Sequence, residues 1–143
     1  MTDFQERLTE LLQDNNLTKQ QFAKNINKRL STINEYFLND YYPQIDLAIT
    51  IANYFGVSLD YLFGLSDKKE NTNKNDKPFF ENFDILVKTN KKSILNTMLD
   101  MNFKESNYYR WKAGKIPKTN NLLTIAKYCD VSLDYLIGYE KSK

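Results

Sequence analysis

The chain has 143 residues, of which 41% are hydrophobic and 27% charged, with nine Phe, ten Tyr and one Trp, a balance that excludes a disordered chain. Histidine is absent and Cys129 is the single cysteine, which excludes an intrachain disulfide framework and the usual zinc-finger and imidazole-ligated sites. The formal net charge is +2, and it is unevenly spread along the chain.

In chain order, Phe4, Leu8, Leu11 and Leu12 follow helical spacing. Thr18 and Gln21 have capping-box spacing before a second helix carrying Phe22, Ala23 and Ile26. Ile33, Tyr36 and Phe37 mark a third helix, and Pro43 precedes a fourth with Leu47, Ala48, Ile51, Ala52 and Phe55. Gly56 is expected to stop the fourth, and Ser58 to cap a short fifth helix that packs Leu59 and Leu62. The run DKKENTNKNDKP, Asp67 to Pro78, holds no apolar residue and reads as a solvated, flexible linker.

The pattern then starts again. Phe79, Phe83, Leu86 and Val87 come first, followed by Ser93 as a cap, Met98 and Met101, Tyr108 and Trp111, Leu122, Ile125 and Ala126, and finally Leu133 and Leu136. Ile51 to Leu65 and Ile125 to Tyr139 are identical at ten of fifteen positions with an offset of 74. Upstream of Pro43 the offset becomes 75, pairing Phe4 with Phe79, Ala23 with Met98 and Ser31 with Ser106. Such self-similarity marks a duplicated unit. The expected fold is all-α, with one five-helix domain over 1–67, a linker over 68–78 and a second domain over 79–143.

These residues resemble the phage-repressor (Xre-type, Cro-like) helix-turn-helix family, and the resemblance covers nearly the whole chain twice. In the second copy, Ser93 to Pro117 supplies a cap, a turn at Asn102, a helix over Glu105 to Lys112, Gly114 in a left-handed C-cap slot and Pro117. In the first copy, Thr18 to Pro43 supplies the small central Ala23, with Asn39 in the place of the glycine and Lys28 where the family puts an apolar turn residue. The implied fold is two tandem lambda-repressor-like domains.

The resemblance also implies roles. The second helix of each pair would enter the major groove of double-stranded DNA, where side chains on its first turns reach base edges. Its base-facing positions are Lys104, Glu105, Ser106, Asn107 and Arg110 in the second copy. In the first copy the same slots hold Arg29, Leu30, Ser31, Thr32 and Glu35, of which Arg29, Ser31 and Thr32 have base or phosphate chemistry. Lys112, Lys115, Lys19 and Lys28 would meet phosphates.

Charge separates the copies. Residues 1–67 hold five Lys and Arg against nine Asp and Glu, whereas residues 79–143 hold eleven against seven. Phosphate neutralisation supplies most non-specific affinity, so the second copy is expected to dominate DNA binding. The function implied is a transcriptional repressor of phage or mobile-element type. The alternative is an antirepressor or inhibitor whose acidic first copy docks on a protein. Phe63, Leu65, Ile137 and Tyr139 are apolar enough at the closing tips to suggest a homodimer.

No constellation supports catalysis or a cofactor: histidine is missing, the four glycines form no phosphate-cradling loop, and Cys129 is expected to be a buried apolar residue. The N-terminal MTDFQERL carries acids and no apolar run approaches the roughly 20 residues of a membrane span. A cytoplasmic protein without membrane partners is expected.

Overall fold

A computed structural model describes residues 2–139, and the regular elements among them are ten α-helices. The chain divides into two compact units between Thr72 and Asn73.

In the first unit, α1 (Asp3–Asp14) starts at Thr2, whose hydroxyl accepts the Gln5 N–H at 3.2 Å while the Thr2 N–H donates to Gln5 Oε1 at 2.8 Å. This reciprocal pair satisfies two backbone donors that the helix start would otherwise leave open. The expected box at Thr18 and Gln21 opens α2 (Lys19–Asn25) in the same way. After α3 (Leu30–Leu38) and α4 (Ile45–Phe55), Gly56 ends the helix in the left-handed region, and Ser58 caps α5 (Leu59–Leu62) by accepting from the Tyr61 N–H. The core is aromatic at both ends. Phe4 stacks on Phe63 with centroids 5.6 Å apart, and Phe22 stacks on Phe55 at 5.3 Å.

The second unit repeats the order with α6 (Phe79–Thr89), α7 (Ile94–Asp100), α8 (Ser106–Lys112), α9 (Thr119–Cys129) and α10 (Leu133–Ile137). Ser93 and Ser132 cap α7 and α10, each accepting from the N–H three residues on. Asp130 holds the left-handed turn that Gly56 makes in the first unit. Trp111 centres the core, with edge-on contacts to Phe79, Phe83 and Phe103 at 5.9, 5.4 and 5.5 Å.

Three expectations are corrected. Asn39 is extended, with φ −126°, and not left-handed; its N–H closes on Glu35 O and its carbonyl accepts from Gln5 Nε2 at 2.7 Å. The stretch 68–78 is not a bare tether. Lys69 O accepts the Ser58 N–H at 2.7 Å, while Asn73 Nδ2 donates to Asp134 O and Tyr139 O, and Asn75 Nδ2 to Tyr135 O. Asn82, buried in α6, donates to Lys77 O, Tyr135 O and Leu136 O. Gly138 is required where this strap passes, because a Cβ there would lie 1.9 Å from Lys77 O. Of the apolar tips, Phe63 is 3% exposed and Tyr139 6%, while Leu65 and Ile137 are half-buried. Cys129, finally, is only half-buried, and burial pushes its thiol pKa up.

Candidate nucleic-acid interface

Each unit builds a pair of helices around one sharp turn. In the first, Asn27 takes φ 59° and the Lys28 N–H reaches back to Ala23 O at 2.8 Å. In the second, Asn102 takes φ 63° and the Phe103 N–H reaches Met98 O at 2.9 Å. Asparagine tolerates this left-handed conformation better than most residues with a side chain. The two turns therefore coincide at the offset of 75 found in the sequence, and Lys28 leaves the backbone of its turn unaltered. Its counterpart Phe103, an apolar residue, packs on Trp111, while Lys28 stays exposed.

The turn leaves Arg29, Ser31, Ser106 and Arg110 exposed around α3 and α8, with Thr32, Glu105 and Asn107 half-buried. Arg29 occupies the N-cap position of α3 and makes no capping bond through its side chain; Ser31 is exposed and Thr32 half-buried in the first turn. Leu30 is 39% exposed beside them, and Glu35 is exposed one turn on. On the second unit Lys104 lies in the turn before α8 and not on the helix, so it shares no helical face with Ser106 and Arg110. Glu105 takes the N-cap position, Ser106 opens the helix, and Asn107 Oδ1 accepts from Arg110 Nη1 at 3.5 Å. Lys104, Ser106, Arg110, Lys112 and Lys115 are exposed. Lys19, exposed at the start of α2, holds its Nζ 4.0 Å from the Phe37 ring centroid, a cation–π contact that orients it.

Two supports of these helices are invisible in the sequence. Gln5, 3% exposed, donates from Nε2 to Tyr36 O and Asn39 O, so a residue of α1 caps the C-terminal turn of α3. In the second unit Tyr108 Oη donates to Asp84 Oδ1 at 2.6 Å, and Lys88 Nζ pairs with Asp84 Oδ2 at 2.7 Å. Burial, reinforced by Asp84, pushes the Tyr108 hydroxyl up to about 12. Burial acts to raise Asp84 as well, but the bonds from Lys88 and Tyr108 outweigh it and hold the carboxyl below its ordinary range. This network ties α6 to the inner side of α8.

With this geometry in view, the chain can be set beside known families. Residues 8–62 match the helix-turn-helix family model. The matched span contains the whole of α2, the Asn27 turn and α3. The match points to a DNA-binding transcription regulator. No curated protein and no solved structure matches the chain. Among the described residues no helix is long and apolar enough to cross a membrane.

Proposed function

We propose that the chain is a sequence-specific, double-stranded DNA-binding repressor of phage or mobile-element type, acting in the cytoplasm through two tandem helix-turn-helix domains. The single observation that carries this reading is the second turn. Asn102 and the Phe103-to-Met98 bond reproduce the matched segment's Asn27 and Lys28-to-Ala23 bond; the helix that follows exposes Arg110, and Lys104 is exposed in the turn before it. Arg110 and Lys104 supply the donors that guanine O6 and N7 accept, and Glu105 an acceptor for cytosine N4. Lys112, Lys115, Lys19 and Lys28 supply cations for phosphates, and Ser31, Thr32, Arg29 and Asn107 supply further polar contacts. Occupying a promoter in this way excludes polymerase.

The test is a salt titration of the full chain on duplex DNA. Binding should weaken linearly in log–log form as salt rises, and Lys115→Ala should flatten the slope by about one unit while weakening all sequences alike. A slope near zero would remove the DNA-binding reading.

A second reading, in which the first unit docks on a protein, is favoured by one observation. Around α3 that unit exposes Leu30, Leu38 and Tyr41 at 39%, 81% and 59%, on a domain whose acids outnumber its bases. Substituting Leu38→Glu would abolish such docking and leave DNA affinity unchanged.

A further inference from the structure

Tyr108 and Trp111, 3% and 5% exposed, fix which side of α8 faces the core. Ser106, Tyr109, Arg110 and Ala113, at positions i, i+3, i+4 and i+7, line the opposite side. Three of these four are small or have a polar role already described. Tyr109 has neither, and its side chain is 53% exposed.

The ring is braced. Tyr109 meets Tyr108 edge-on, with centroids 5.1 Å apart and planes at 84°. Tyr108 is itself packed edge-on against Phe80 at 5.2 Å and tied through its hydroxyl to Asp84 at 2.6 Å. Phe80 and Asp84 belong to α6, so the outward ring is backed, through the buried Tyr108, by contacts to that helix. A tyrosine held this way offers a rigid, partly apolar surface and gives up little conformational freedom on binding, because only two side-chain torsions need fixing. The major groove presents one apolar feature to such a surface, the C5-methyl of thymine.

We propose that Tyr109 is a specificity-determining residue, its ring lying against the C5-methyl of a thymine next to the base pair that Arg110 addresses. The inference rests on DNA binding by the second unit. In the first unit the equivalent position, at the offset of 75, is Asn34. An amide there has no use for a methyl group and instead matches the paired donor and acceptor of adenine. The two units would thus recognise different half-sites.

The experiment selects a binding site for the full chain from random duplexes, then replaces each thymine in turn by deoxyuridine, which removes only the methyl. One replacement should cost about fourfold in affinity, the scale of one methyl group leaving an apolar contact. The loss should vanish in Tyr109→Ala and persist in Tyr109→Phe, which keeps the ring, while the melting temperature of both variants stays near that of the parent. The proposal is overturned if no deoxyuridine matters, if Tyr109→Ala keeps the same thymine preference, or if Tyr109→Phe binds as weakly as Tyr109→Ala, since the hydroxyl would then be the contact. Failure to enrich any sequence would instead overturn the DNA-reading role on which the inference stands.

Discussion

Trp111 and Tyr36 occupy matching places in their units but not matching environments. Trp111 is 5% exposed amid three aromatic neighbours, so Trp111→Ala should cost about 3–5 kcal/mol. Tyr36 is half-buried and touches Phe4 only edge-on at 6.1 Å, and Tyr36→Ala should cost about 1–2 kcal/mol because less surface returns to water. Chemical denaturation of the two variants measures both. The Asp84 and Tyr108 pair supplies a second test at this scale, in a double-mutant cycle with Asp84→Asn and Tyr108→Phe. A hydrogen bond to a charged group predicts a coupling of about 1.5 kcal/mol. Since the folded carboxyl titrates below its unfolded value, that coupling is present at neutral pH and is lost as pH falls through the folded value. A coupling that persisted unchanged in strong acid would contradict it. Short-range features of this kind were legible wherever both partners sat within one turn, as at Thr18 with Gln21 and at Ser93. Gln5 with Asn39 and Tyr108 with Asp84 lie 34 and 24 residues apart, and no spacing rule announces them.

The helices themselves followed from periodicity, because each buries one apolar stripe and little else competes for those residues. What the pattern misread was the polar stretch between them. Composition said solvated linker, yet asparagine carries donors that can satisfy the open carbonyls at a helix end, and Asn73 and Asn75 do this for α10. The consequence is a boundary. A fragment of residues 73–143 should be more stable than one of residues 79–143, which lacks the Asn73, Asn75 and Lys77 contacts, by about 2–4 kcal/mol at roughly 1 kcal/mol per net hydrogen bond. Thermal melts should separate them by more than about 10 °C. Equal melting temperatures would show that the strap is held without contributing stability. Asn39 was misread for a related reason: tolerance of a left-handed turn is permission and not a requirement, and Gln5 offers its carbonyl a better partner in the extended form.

For the molecule as a whole, the self-similarity was plain from the sequence, and the two turns coincide at its offset of 75. The proposed division of labour was less plain, since it depends on which side chains the turns present. On the proposed reading the basic unit would offer Lys104, Arg110, Lys112 and Lys115 to a duplex, and the acidic unit Arg29 among Leu30 and Glu35. Both units share one helix order, but the exposed cations that phosphate and guanine would attract are concentrated in the second. The most direct measurement compares Arg110→Ala and Arg29→Ala in the full chain, by fluorescence anisotropy on one selected duplex at two salt concentrations. Arg110→Ala should cost about 1–3 kcal/mol and relax the sequence preference, with Arg29→Ala costing less. Loss of binding in Arg29→Ala beside a silent Arg110→Ala would make the first unit the reader and contradict the account.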